Sequence, residues 1–347
     1  MRLLSLLLFP FSILYAFILF LRRKLYALGF LSSYDSSLPV ISVGNLSTGG
    51  TGKTPFSEWL IRYLLALGKK PAYLSRGYGR ETKGLLGVNP LKGDAAQFGD
   101  EALQVALKFP TIEVVVSENR KVGLQYLEQK GGIDVVILDD AFQHVKVKRD
   151  LDLVMVDAQR MPDEDFVLPM GSLREGRQSL KKADLIVLNK LAVGENPASK
   201  IKRLAAYNRH VLAIKPVFQT AYHFSGEALP AIDKAGVSLI AFAGLGNNRH
   251  FFQMLKENGW TLEESLSFRD HYSYSEKDIE RLISLAGKKV GKRELLIATT
   301  EKDYMRLKNY RGLHSAELQK WIYFPVEVEW LSGKDNFIQL LNEHVMS

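Results

Sequence analysis

An apolar strand that runs into a glycine-rich loop and then into an amphipathic helix restricts the fold of this chain more than any other feature. Pro39 to Val43 reads as a buried strand, and Ser47-Thr-Gly-Gly-Thr-Gly-Lys-Thr54 follows it. From Thr54 to Leu67 apolar residues recur at Phe56, Leu60, Ile61, Leu64 and Leu67, the spacing of one helical face, and Gly68 is placed to end the helix. The loop fits the phosphate-binding pattern at every defined position except the first, where Ser47 stands for glycine. Glycines let backbone N–H groups converge on phosphate oxygens, and the helix adds the positive end of its dipole. The residues expected around a nucleotide are therefore Thr48, Gly49, Gly50, Thr51, Gly52, Lys53 and Thr54. Lys53 is expected at the β- and γ-phosphates and the Thr54 hydroxyl on Mg²⁺, so ATP and Mg²⁺ are the cofactors this loop implies.

Short β-branched runs then alternate with amphipathic stretches, the pattern of parallel strands joined by crossover helices. Strands are expected at Pro71–Ser75, Ile112–Ser117, Val135–Asp139, Leu151–Val156 and Leu185–Asn189, with a helix at Arg120–Gln129. This is an α/β fold: a doubly wound, mostly parallel P-loop sheet. A second run contains strands at Val237–Ala243, Leu295–Thr300 and Ile322–Val328 and helices at Asn248–Asn258 and Ser275–Ala286, which reads as a smaller α/β lobe. The expected organisation is a membrane-anchor helix over residues 1–24, a nucleotide-binding domain over 25–210, a linker over 211–232 and the smaller lobe over 233–347.

Val135-Val-Ile-Leu-Asp-Asp140 is an apolar strand ending in two carboxylates, Asp139 and Asp140, the arrangement that presents an acid to a metal beside such a loop. Gly99-Asp100-Glu101 supplies an acidic turn, and Asp270-His271-Tyr272 a histidine; hydroxyl attack on phosphate needs a group of this kind to take the proton. Each of these short motifs also occurs as an ordinary turn or cap.

Leu3 to Leu21 is almost wholly apolar and is followed by Arg22-Arg23-Lys24. Nineteen residues reach about 28 Å, close to a hydrocarbon core of about 30 Å, while Pro10 shortens the reach. The segment fits either a span or an interfacial helix, and the basic cluster places the chain after it on the cytoplasmic side. A formal charge of +8 favours an anionic partner, and the absence of cysteine excludes disulfides, thiolate nucleophiles and Cys-ligated metals.

Taken together the sequence resembles the tetraacyldisaccharide 4′-kinases, which phosphorylate the lipid A precursor. The carriers are Val43–Pro55, Ser75-Arg-Gly-Tyr-Gly79, Gly99-Asp-Glu101, Leu138-Asp-Asp-Ala-Phe-Gln-His144, Leu168-Pro-Met-Gly-Ser-Leu-Arg-Glu175, Ala243-Gly-Leu-Gly-Asn247, Asp270-His-Tyr272 and Thr300-Glu-Lys-Asp303, in that order along nearly the whole chain. The resemblance implies transfer from ATP to the 4′-hydroxyl of a tetraacylated glucosamine disaccharide 1-phosphate at the cytoplasmic face of the inner membrane. It implies catalytic roles for Asp100, His271 and Lys53, with Asp100, polarised through His271, taking the hydroxyl proton. It implies metal-side roles for Thr54, Glu101, Asp139 and Asp140, and substrate contacts at Arg76, Tyr78 and Asn45. The partners expected are the lipid A disaccharide precursor and the anionic cytoplasmic leaflet, with no nucleic acid and a monomeric chain. Ser172, Gly176, Asn248 and Ala141 depart from the family's usual loop residues.

Two other readings compete. A membrane-associated GTPase or ATPase switch would use Leu188-Asn-Lys190 to read guanine, but Leu191-Ala192 follows where the pairing aspartate belongs. A nucleic-acid-binding protein would account for the charge, yet the basic residues are scattered among acids without a reading helix or aromatic platform.

Overall fold

The computed structural model of the protein describes residues 2–192, 194–286, 294–310, 312–313 and 315–346. In chain order its first part runs α1 (Arg2–Ala27), β1 (Val40–Asn45), α2 (Lys53–Ala66), β2 (Pro71–Ser75), β3 (Leu86–Gly87), α3 (Ala95–Phe98), α4 (Asp100–Lys108), β4 (Glu113–Val116), α5 (Arg120–Lys130), β5 (Val135–Asp139), β6 (Leu151–Asp157), β7 (Leu185–Asn189), α6 (Ala198–Ala205) and β8 (Val211–Phe218). It continues through β9 (Tyr222–His223), β10 (Val237–Ala243), α7 (Asn248–Glu257), β11 (Thr261–Ser267), α8 (Glu276–Ala286), β12 (Glu294–Thr300), α9 (Glu301–Leu307), α10 (Ser315–Leu318) and β13 (Trp321–Phe324), then β14 (Val326–Ser332) and α11 (Lys334–Leu341).

Nine strands form one sheet in the order β14-β8-β7-β6-β1-β5-β2-β4-β3. Its pairs are parallel except at the two edges, where β3 and β14 run antiparallel to their neighbours. The strands at its centre are buried at every position, which explains their unbroken apolar runs. β1 lies between β5 and β6 and is the point where the winding changes direction, so the loop after it opens at the carboxyl ends of the strands, where open α/β sheets bind ligands. Register does the rest: Val43 pairs with Asp139, and the Asp140 N–H donates to the Val43 carbonyl at 3.0 Å, which places both aspartates beside the loop that leaves β1.

The second sheet has the order β11-β10-β12-β13-β9, parallel except for β9 against β13. Sequence order alone suggested a single linker and a single following lobe, and the structure differs on both. Residues 211–218 of the expected linker are β8 of the large sheet, and within 233–347 the chain crosses back, because Pro325 interrupts the expected Ile322–Val328 strand. Proline has no N–H to give a ladder. β13 stays in the small sheet while β14 pairs with β8. Trp330 of β14 and Phe337 of α11 then pack on α2, with the Trp59 and Trp330 rings 4.7 Å apart, so the chain's end closes the core under the glycine loop. Residues 287–293 of the expected lobe lie outside the described residues.

α1 forms where the apolar run predicted a helix and continues past the basic cluster to Ala27. Among the described residues no helix is long and apolar enough to cross a membrane. Its inward stripe is fastened to the large lobe. Ser12 Oγ accepts the Met170 N–H at 3.0 Å, and Arg23 is ion-paired with Glu175 at 2.7 Å while donating to the Phe142 carbonyl at 2.9 Å. Its other side exposes Phe9, Ile13, Phe17 and Phe20.

Candidate active site

The glycine loop is shaped by what surrounds it. Gly49 and Gly52 have φ of 98° and 89°, the left-handed region that favours glycine, and a Cβ on Gly52 would lie 2.1 Å from the Asn189 amide nitrogen. Asn189 Nδ2 donates to the Thr51 carbonyl at 3.1 Å, and Lys190 Nζ donates to the Gly50 carbonyl. The Asn189-Lys190 pair therefore braces the loop's own backbone instead of reading a base. Asn45 does the same from below, its Nδ2 donating to the Gly49 carbonyl at 3.2 Å. Ser47, at the position of the missing glycine, forms an isolated bridge with Leu173.

Thr48 to Thr54, Arg76, Tyr78, Glu101, Asp139, Asp140 and His271 line one cavity of about 840 Å³ between the lobes. Asn45 and Asp100 lie behind its wall, both buried. The two aspartates are in opposite electrostatic states. Burial acts to raise Asp140, yet Lys53, 3.3 Å away, and Arg174, at 2.7 Å, hold it at about 2. Asp139 is pushed up to about 7 by burial and then by Glu101, and its Oδ1 has no hydrogen-bond partner. Lys53 and Arg120 pull it down without offsetting that burial.

The Gly99-Asp100-Glu101 turn and His271 meet in space. Gly99, at φ 85°, packs a Cβ's width from the Tyr78 carbonyl, so α4 begins hard against the Ser75–Gly79 loop. His271 Nδ1 is 3.0 Å from Asp100 Oδ2, and the Tyr78 and His271 rings stand 4.7 Å apart. His271 itself holds a φ of 54°, an uncommon conformation for a non-glycine residue that clusters at functional sites. Burial opposes ionisation of Asp100, but Lys302, the His271 hydrogen bond and Arg306 outweigh it and hold the carboxyl far below the usual range.

Arg306 was not legible in the sequence as a site residue. Its Nε donates to Asp100 at 3.0 Å and its Nη1 to Asp303 at 2.7 Å. Asp303 in turn accepts from Tyr274 Oη at 2.8 Å, Thr300 Oγ1 at 2.6 Å and the Gly244 N–H. Thus Thr300-Glu-Lys-Asp303 is a bracket that carries the His271 loop and reaches across to α4. Lys302 pairs with Glu101 at 2.6 Å, and Lys108 with Glu301 at 2.6 Å, so three ion pairs join α9 to α4. Arg174, in a motif noted only for its family resemblance, is the partner of Asp140.

A profile described as LpxK, tetraacyldisaccharide-1-P 4′-kinase, matches residues 4–346. The chain belongs to this family. The tetraacyldisaccharide 4′-kinase of Chlorobium limicola is 36% identical, with 99% of each chain covered, and that of Flavobacterium johnsoniae is 35% identical over 97% of this chain and 96% of its own. The solved structure of LpxK from Aquifex aeolicus, in complex with ATP, superposes with a TM-score of 0.76 at 31% identity and covers 99% of both chains. As a tetraacyldisaccharide 4′-kinase family member the protein is a kinase of lipid A biosynthesis that acts on a lipid disaccharide, on a mixed α/β scaffold with a large, mostly parallel sheet.

Proposed function

We propose that this kinase moves the γ-phosphate of ATP to the 4′-hydroxyl of a tetraacylated glucosamine disaccharide 1-phosphate at the cytoplasmic face of the inner membrane. The observation that carries the reading is the contact of His271 with Asp100 in the wall of the cavity that the phosphate loop and α1 also line. In this arrangement Lys53 and the loop amides bind the triphosphate and neutralise the charge that builds on the transferred group.

Mg²⁺ fits the residues present. Asp139 offers a buried, unpartnered carboxylate oxygen, and Thr54 and Glu101 line the same cavity. Among the described residues no three His, Cys, Asp or Glu side chains cluster as a metal cage, so Asp139, Thr54 and Glu101 are the residues that would hold the cation. When bound beside these residues, the cation would withdraw charge from the phosphate.

The proton of the attacking hydroxyl goes to His271. Asp100 is an unsuitable acceptor: it is buried, it stands outside the cavity lining, and its two cations keep it ionised to low pH. It is suited instead to hold the imidazole's Nδ1 side and to stabilise the imidazolium once formed. The order implied by the family resemblance, Asp100 acting through His271, is here reversed.

α1 supplies the membrane contact. Tyr15, Leu19 and Arg22 of its inward stripe line the cavity, while Phe9, Ile13, Phe17 and Phe20 face outward. A helix pinned lengthwise by Ser12 and Arg23, with one apolar side free, is arranged to lie in the interface and deliver an insoluble acceptor to the site.

The test is labelled ATP, Mg²⁺, detergent and a tetraacylated glucosamine disaccharide 1-phosphate, scored for a doubly phosphorylated lipid; no transfer overturns the function. Imidazole added to His271→Ala should restore part of the lost rate, and its failure to do so, with a folded protein, removes the base assignment. Deleting residues 2–21 should lower liposome partitioning while nucleotide binding persists.

A further inference from the structure

One face of α4 carries Asp100, Gln104 and Lys108, spaced at i, i+4 and i+8. Asp100 is held by Arg306 at the transfer end, while the other two reach a pair of carboxylates that have no part in the transfer itself. Glu58 Oε1 accepts from Gln104 Nε2 at 2.7 Å, and its Oε2 accepts from Lys108 Nζ at 2.7 Å. Glu301 Oε2 accepts from the same two groups, at 3.1 Å from Gln104 and 2.6 Å from Lys108. One ammonium and one amide thus bridge the same two acids.

The acids come from different parts of the fold. Glu58 lies on α2, five residues after Lys53, and is completely buried. Glu301 opens α9, next to the Lys302 that pairs with Glu101. α2 continues the glycine loop, α4 starts with Asp100, and α9 supports the His271 loop through the Asp303–Tyr274 hydrogen bond. The bridge ties these three helices together at one point.

Stability alone does not account for this arrangement. Two buried carboxylates share one lysine, since the remaining cation, Arg62, is half-buried, 3.8 Å from Glu58 and already paired with Glu327 of β14. Burial pushes Glu301 up to about 7, which Lys108 does not offset and Glu58 increases. Burial also acts to lower Lys108, yet Glu58 and Glu301 outweigh it and hold it above the ordinary lysine value. Apolar side chains of like size would fill such a space with no loss of stability, and often with a gain. What they would not supply is a fixed spacing between helices, which charge-assisted hydrogen bonds of definite length and direction do.

We propose that Lys108 is a positioning residue for phosphoryl transfer: by bridging Glu58 and Glu301 it sets the spacing of Lys53, at the start of α2, from the Asp100–His271 pair. This rests on the reading of that pair as the transfer end. Lys108 stands outside the cavity lining, so it acts through the helices it joins. A displacement of about 1 Å in the reacting groups is enough to cost about 10²-fold in rate. Nucleotide binding is spared, because the loop's shape is held separately, by Asn45, Asn189 and Lys190 at the ends of β1 and β7.

The test follows transfer from labelled ATP to the tetraacylated acceptor in detergent with Mg²⁺, for the full-length wild type, Lys108→Met, Glu301→Gln and the two changes together. Thermal unfolding and ATP titration accompany each rate. Each single variant should lower kcat about 10- to 100-fold, with ATP affinity within about twofold of wild type. Lys108→Met leaves two buried acids without their lysine and should also lower the thermal midpoint. The double variant removes one acid with the lysine and leaves Glu58 to Arg62, so its midpoint should recover. Its kcat should stay as low as that of the slower single variant, because both changes break one bridge. A double variant whose kcat recovers with its midpoint overturns the proposal, for then the cluster serves stability alone. So does a wild-type kcat in either folded single variant, or a double variant whose loss is the product of the two single losses, the mark of independent effects. A fall in ATP affinity that accounts for the lost rate overturns it as well. Should Lys108→Met fail to fold, Glu301→Gln and the double variant decide the matter. No transfer by the wild type would instead overturn the function on which the inference rests, and this role with it.

Discussion

Replacing Asp139 by asparagine should make the metal-free protein more stable at pH 8 while removing its activity. In the folded chain Asp139 moves from an ordinary value of 3.8 up to about 7, chiefly through burial and then through Glu101. Three pH units, at about 1.4 kcal/mol each, amount to about 4 kcal/mol as a ceiling for the cost of holding this group ionised. The sign follows from proton counting. Between about pH 4 and 7 the folded state holds a proton that the unfolded state has released, so this group's contribution to stability is present in full below that window and is lost as pH rises through it. Asparagine cannot ionise, so the variant escapes the loss and should exceed the wild type by about 2–4 kcal/mol at pH 8 and by far less at pH 5. Glu301, also raised to about 7, titrates in the same window in both proteins and drops out of the difference. Urea unfolding in EDTA at the two pH values reads it directly. If Asp139 holds the cation as proposed, adding Mg²⁺ and ATP should then stabilise the wild type more than the variant. A variant that is less stable than wild type at pH 8, or a difference that does not change with pH, would refute the view of Asp139 as a carboxylate whose ionisation burial opposes.

Other perturbations test other parts of the site. Lys53→Ala should abolish transfer and weaken ATP binding, measured by titration, because the triphosphate then has no ammonium to meet. Asp100→Asn should reduce kcat by about 10²-fold or more with the ATP KM little changed, since it removes the carboxylate that orients His271. Arg306→Lys keeps a charge beside Asp100 but cannot span Asp100, Asp303 and the Gly244 carbonyl together; a fall in kcat larger than any fall in thermal midpoint is expected. Arg23→Ala strands the buried Glu175 and should cost about 3–5 kcal/mol of local stability, read as protease sensitivity at α1; an unaltered digestion pattern would contradict the tether.

What the sequence determined by itself is what spacing along the chain can encode. The strand, loop and helix around Ser47–Thr54 follow from glycine positions and a helical apolar period, and the paired aspartates follow from an apolar run that ends in acids. The order of eight motifs was enough to name the family. The interrupted Ile322–Val328 segment shows the limit of such reading: a proline marked the break, but nothing local said that the halves join different sheets. The same holds for the site. Asp100 and His271 were visible as candidates, yet their contact depends on how the second lobe sits on α4, and Arg306 lies 206 residues from the Asp100 it holds. Arg23 and Glu175, 152 residues apart, likewise decide which arginine of the basic cluster faces the cavity. Short-range pattern records what each segment must bury, whereas the partners of buried charges are chosen only when separate segments close around them and exclude water, so those choices belong to the tertiary structure.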